Sequence, residues 1–324
     1  MKPTRRALAF LPFALLAAAA QAQGPTFPSR PVTLIVGTAP GGTTDISARM
    51  LAEPLGKALG QTIIVDNKAG ASGAIAAVAV KRAEADGHTL LMQYSGYHVI
   101  TPVVSKHSLG WEAKDLQPVA NVLTAPQVVV VRAGLPVKTM AELVAYAKAN
   151  PGKLTYASSG NGSLQHVTGA MLEQQAGIEM THVPYKGTGP ALQDLLGAQV
   201  DLTFGTPPPF MPHIQSGKLR ALAVTSSTRV ASLPDVPTTA EAGLPKLNPT
   251  SWFAVFAPAA TPKSVVDKLA GEIGRVMATP EFKKKAADLG ASADFIAPAQ
   301  LGELTQAELK RWADVAKASK IEAD

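Results

Sequence analysis

Along the chain, short apolar runs alternate with segments whose apolar residues recur every three to four positions. Residues 32–37 (VTLIVG), 62–67 (TIIVDN) and 89–94 (TLLMQY) read as strands. Residues 44–60 and 73–87, which lie between them, carry helical spacing. Strands alternating with helices in units this short predict parallel β-α-β layers. Their near-continuous apolar character suits strands covered on both faces. The pattern restarts at 125–150 with a strand, a Pro-containing turn and a helix, and continues through 153–177 and 180–199. Strands follow at 200–205 and 219–225, and residues 251–276 then repeat the plan of 125–150. One such unit leaving the first half and another returning to it imply two lobes joined by a double crossing. The expected lobes are 23–125 plus 250–324, and 126–249. The expected class is α/β, each lobe a mainly parallel sheet flanked by helices.

Composition narrows the setting. The chain has 324 residues, enough for two domains, and is 46% hydrophobic and 17% charged, which is globular rather than disordered. Half of the formal net charge of +6 sits on Lys2, Arg5 and Arg6. The remainder is mild, and no basic stripe with interleaved aromatics points to nucleic acid. Those three cations precede the apolar run ALAFLPFALLAAAA and the small-residue site Ala20-Gln21-Ala22. This is the pattern of a cleaved secretory signal over 1–22, too short to span a bilayer. The Arg5-Arg6 pair hints at the twin-arginine route, with ordinary secretion preferred. Cysteine is absent, so neither a disulfide nor a lipid on an N-terminal Cys is available. An exported, soluble protein resting on a packed core is expected, most simply a periplasmic monomer.

Three loops sit where a strand gives way to a helix. The first, TAPGGTTDIS, brings Gly41 and Gly42 to a helix start that Thr43, Thr44 or Asp45 can cap. A helix start offers unpaired amides and partial positive charge, so it can seat an anion. The same residues also make an ordinary strand-to-helix turn. The second, SSGNGSLQH, supplies Ser159, Asn161 and Ser163 among glycines, with His166 in the next helical turn. The third, VPYKGTGPAL, places Lys186, Gly187, Thr188 and Gly189 at a junction. Each alone is turn chemistry. Together they lie at the carboxyl ends of strands, where open α/β sheets bind ligands.

Other chemistries fit poorly. Neither G-x-G-x-x-G followed by an acid nor G-x-x-x-x-G-K-[ST] occurs, and Gly70 with Gly73 is a lone glycine pair. A serine hydrolase wants G-x-S-x-G, whereas Ser163 and His166 are spaced for a capping contact. The six histidines are scattered, with no H-E-x-x-H. No catalytic group, metal or cofactor is assigned.

Six segments in order, among them FPSRPVTLIVGTAPGGTTDISAR, VPYKGTGPALQDLLGAQVDLTF and LPDVPTTAEAGLP, resemble the Bug family, the periplasmic solute receptors of tripartite tricarboxylate transporters. The resemblance covers nearly all of the chain after residue 22. It implies a two-lobed Venus-flytrap fold, type II-like, holding a small carboxylate or related metabolite between the lobes for membrane permease subunits. Carried over by position, it implies first-lobe contacts from Thr38, Ala39, Pro40, Gly41, Gly42 and Thr43, with Asp45 orienting the loop, and from Ser95 and His98. Second-lobe contacts would come from Ser159, Gly160, Asn161, Gly162, Ser163, His166, Lys186, Gly187 and Thr188. After VDLTF, where relatives often carry an acid or amide, this chain has Gly205 and Thr206, which disfavours an amino-acid ligand. Two rival roles stay open: a receptor that signals to a sensor protein without transport, and a secreted hydrolase.

Overall fold

The computed structural model describes residues 27–105 and 107–319; the leader expected over 1–22 lies outside the described residues. The first part of the chain forms β1 (Val32–Val36), α1 (Thr43–Leu59), β2 (Ile63–Asn67), α2 (Ala74–Lys81), β3 (Thr89–Tyr94), a π-helical turn running into α3 (Thr101–Val104), and β4 (Leu116–Pro126). The middle forms β5 (Val128–Arg132), α4 (Met140–Ala149), β6 (Thr155–Ser158), α5 (Leu164–Ala176), β7 (Thr181–Pro184), α6 (Thr188–Leu196), β8 (Leu202–Gly205), α7 (Met211–Gln215) and β9 (Leu219–Val224). The last part forms β10 (Thr250–Pro258), α8 (Lys263–Ala278), α9 (Pro280–Asp288), β11 (Ser292–Ile296) and α10 (Pro298–Ser319).

Two sheets result, ordered β11-β4-β10-β3-β1-β2 and β7-β6-β8-β5-β9. Each underlies one lobe, as expected, but neither is mainly parallel. β1 pairs in parallel with β2 and β3, and β6 with β7 and β8, while β10 runs antiparallel to β3 and β4, β11 to β4, and β5 to β8 and β9. The double crossing explains the mixture. β4 leaves for the other lobe and β10 returns from it, so side by side they must run in opposite directions. Thr250 faces Pro126 and Ser251 faces Ala125 where the two cross.

The apolar runs do what their pattern predicts. Val128–Val131 of β5 are wholly buried, split between cores on the two faces of the smaller sheet. The larger sheet has one continuous core around Leu34, Leu91, Phe256 and Ile273. Leu164 and Val167, from α5 of the smaller lobe, pack into that larger core. Burying each such side chain contributes about 1.5–3 kcal/mol, so the lobes adhere by apolar contact as well as by polar bonds. Among the described residues, no helix is long and apolar enough to cross a membrane.

Candidate functional site

The three glycine-rich helix starts differ in what already occupies them. α1 begins after Gly42, whose extended backbone provides no side-chain cap, and α6 begins after Gly187, likewise uncapped. Their first-turn amides therefore lack the usual side-chain partner. α5 is different, because its N-cap Ser163 accepts from the His166 backbone N–H at 3.3 Å. The Tyr94 hydroxyl sits beside that helix start, sharing a bond with Ser159 Oγ at 3.0 Å and donating to Gln165 Oε1 at 3.3 Å. Burial, reinforced by the neighbouring Tyr97, pushes the Tyr94 phenol well above its ordinary range, against a smaller opposing effect of the Ser159 bond. Tyr94 thus stays neutral beside the α5 start, which Ser163 caps.

The loop before α1 is held from behind. Asp45 Oδ2 accepts from the Gly41 amide at 3.0 Å, and its Oδ1 accepts from Arg49 Nε and Asn67 Nδ2, each at 3.0 Å. Asn67 Nδ2 also donates to the Thr38 carbonyl at 3.0 Å. Gly41 has φ of 87°, a left-handed conformation that glycine adopts without strain. Asp45 is thereby spent on the loop and on Arg49, and its charge is neutralised away from the cleft.

The lobes are shut against each other. Ala39 N–H donates to the Lys186 carbonyl at 3.1 Å, and the Thr43 and Thr206 hydroxyls share a bond of 2.6 Å. Ser72 Oγ donates to the Asn161 carbonyl at 2.8 Å, Thr101 Oγ1 to the Gly162 carbonyl at 3.1 Å, and Tyr97 to the Ser159 carbonyl. Between these contacts lies a cavity of about 10 Å³, room for roughly one water, so in this shut form the lobes nearly fill the space between them and a larger ligand enters only when they part. Thr38, Gly42, Thr43 and Thr44 line it from the approach to α1, and Ser159, Gln165, Thr188 and Thr206 from the smaller lobe. Tyr94, Gln127, Ser251 and Phe253 complete it from β3 and the crossing strands. No charged side chain is among these lining residues, so an anion there is met by hydroxyls, amides and helix starts. A larger open hollow of about 710 Å³ is lined by α1, β2 and the turn between them, from one lobe only.

Of the residues singled out in the sequence, Thr38, Gly42, Thr43, Ser159, Thr188 and Thr206 meet at the cavity. Ala39, Pro40, Gly41 and Gly187 form the seam beside it, where a Cβ on Gly187 would touch Thr38 and the Ala39 amide. Gly160, Asn161 and Lys186 line a separate hollow between the lobes with Ser72 and Tyr97, the Lys186 side being exposed. Gly162 contributes its carbonyl to Thr101, and Ser95 Oγ accepts from the Trp252 amide. His98 lies in the core, stacked on Phe256 at 4.0 Å beside Trp111 and Trp252, and burial pulls its imidazole down to about 3. His166 stacks on His182 at 4.0 Å with its Nδ1 accepting from the Gly162 amide. Ser163 and His166 do meet through capping. Gln165, inside SSGNGSLQH but not singled out there, also lines the cavity, as do Gln127, Ser251 and Phe253, which sit on the crossing strands away from the three loops and look like core positions. Among the described residues, no group of three or more His, Cys, Asp and Glu is placed to hold a metal.

Residues 47–321 match the family model described as tripartite tricarboxylate transporter family receptor. The chain is 36% identical over 300 residues to Protein BugT of Bordetella pertussis, covering 92% of each. Two solved structures are similar throughout. R. palustris Rpa4515 with adipate is 36% identical with a TM-score of 0.88, over 91% of this chain and 99% of that one. MatC from Rhodopseudomonas palustris with bound malate is 35% identical with a TM-score of 0.85, over 89% and 99%.

Proposed function

This chain belongs to the tripartite tricarboxylate transporter receptor family, and we propose that it captures a small carboxylate between its lobes in the periplasm and presents the closed form to membrane transporter subunits. The observation that carries the reading is the set of residues that meet at the cavity: they come from both lobes, flank the uncapped starts of α1 and α6, and include no charged side chain. Similar proteins solved with adipate and with malate support the ligand class. The assigned lobes are 23–125 plus 250–324 and 126–249, supported by which strands share a sheet.

The mechanism follows from where the groups sit. A carboxylate accepts from first-turn amides and from hydroxyls such as Thr38 and Thr188. Each charge-assisted bond contributes about 1.5–3 kcal/mol. Bonds to both lobes exist together only when the cleft is shut, so the ligand favours the closed state by that difference. The role is binding rather than turnover, since the Ser163 hydroxyl serves as a helix cap.

A thermal-shift screen of a carboxylate library tests the proposal. A ligand at a hundred times its Kd adds about 2.7 kcal/mol of stability, a clear rise in melting temperature. A library in which no carboxylate stabilises the protein refutes it.

A further inference from the structure

We infer that Gln127 and Ser251 form a second recognition point in the cavity, one that selects a ligand carrying, besides its carboxylate, a group that both donates and accepts a hydrogen bond: a hydroxyl or a primary amide. This deepens the carboxylate reading and rests on it.

Gln127 is the single residue between β4 and β5, and Ser251 is the second residue of β10, so they occupy the outgoing and returning crossings. Gln127 is held rigidly. Its amide donates to Thr225 Oγ1 at 2.8 Å, its carbonyl accepts from the Thr225 amide at 2.9 Å, and Thr225 Oγ1 in turn reaches the Pro249 carbonyl at 2.6 Å. Its side chain lines the cavity and is 1% exposed, with Nε2 donating to Ser251 Oγ at 2.8 Å. The remaining amide oxygen, Oε1, is buried without a hydrogen-bond partner. Buried polar atoms are nearly always paired, and an orphaned one on a cavity wall is available to a ligand.

The pair has a fixed hydrogen-bond signature. Ser251, accepting from Nε2, keeps its own proton to give, while Gln127 keeps an acceptor. Turning the amide over exchanges the two roles and still leaves one donor and one acceptor. An ionised carboxylate has acceptors only, so one of its oxygens would oppose an acceptor. A methyl group would satisfy neither site. A hydroxyl or carboxamide satisfies both. The carboxylate itself is served elsewhere in the cavity, by the α1 start and by Thr38, whose Oγ1 is also buried without a partner.

Matched acids test this by calorimetry on the purified chain: 4-hydroxybutanoate, succinamate, succinate and butanoate, and the corresponding six-carbon set ending in adipate and hexanoate. At whichever length binds, the hydroxyl- or amide-ended acid should bind about tenfold or more tightly than the dicarboxylate and the methyl-ended acid. Gln127→Met should flatten that ranking. A dicarboxylate that binds the wild-type chain as tightly as its hydroxyl- and amide-ended counterparts overturns the inference and leaves the carboxylate reading standing. Failure of every acid to bind at either length overturns both. The wild-type ranking decides the matter even where the variant does not fold.

Discussion

The hydroxyls of Thr43 and Thr206 meet at 2.6 Å, although they belong to different lobes and lie 163 residues apart. Both also line the cavity. Their bond exists only in the shut form, so it adds to closure whatever the ligand contributes. Thr206→Val keeps the shape and removes the bond, and ligand affinity should fall about 2- to 10-fold, the equivalent of one neutral hydrogen bond. A double-mutant cycle with Thr43→Val, read by calorimetry, should return a coupling of about 0.5–1.5 kcal/mol. Strict additivity would remove the latch.

Gly189 makes a cleaner test of closure. Its Cα approaches the Pro40 carbonyl so closely that a Cβ would overlap the oxygen. Gly189 is inside α6 with ordinary helical backbone, where alanine is the better helix former. Gly189→Ala should therefore fold at least as stably as the parent yet be unable to seat Pro40 against α6. Carboxylate affinity should drop more than about tenfold, which needs only 1.4 kcal/mol of opposition to closure. Small-angle scattering with ligand should show a larger radius than the parent. Normal compaction on binding would show that the seam yields.

Much of this architecture was legible because period-2 and period-3.6 patterns are local. The runs at 32–36 and 89–94, the glycine turns and the crossing near 126 all announce themselves within a dozen residues, although Gly42, and none of Thr43, Thr44 and Asp45, takes the cap position of α1. What escaped depends on distant partners. β4 contains Pro118 and an uneven apolar pattern, and its nine-residue pairing with β10 is written nowhere near it. Gln127 and Ser251 carry no turn or cap signature, and their mutual bond spans 124 residues. His98 follows a strand as binding loops do, but the aromatic residues that enclose it come from 111, 252 and 256.

Asp45 is the residue whose removal should separate loop order from ligand contact. Asp45→Ala leaves the Gly41 amide and Asn67 Nδ2 each short of an acceptor and frees Arg49. Losing such bonds at a nearly buried carboxylate costs about 1–3 kcal/mol. The amides of Gly41 and its neighbours should exchange with deuterium faster, and ligand should bind more weakly, without any charge having been removed from the cavity wall. Unchanged exchange across 38–42 would mean that the loop is held by other contacts.

His98 sets an acid limit on stability. Burial among Trp111, Trp252 and Phe256 lowers its pKa from an ordinary 6.5 to about 3. An unfolded chain takes up this proton near pH 6.5, whereas the folded one refuses it until about pH 3. Between those values the unfolded state binds more protons, so stability is fully present above pH 6.5 and is lost progressively as pH falls. His182, lowered to about 4 by burial and by His166, acts in the same direction. His98→Phe replaces the imidazole with a ring of similar shape and removes a buried Nδ1 that has no partner. The variant should match or exceed the parent at pH 7, and by pH 5 its advantage should have grown by about 2 kcal/mol. Thermal unfolding at the two pH values measures this directly. Parallel pH profiles for parent and variant would place the acid sensitivity elsewhere, with the His166–His182 stack the next group to substitute.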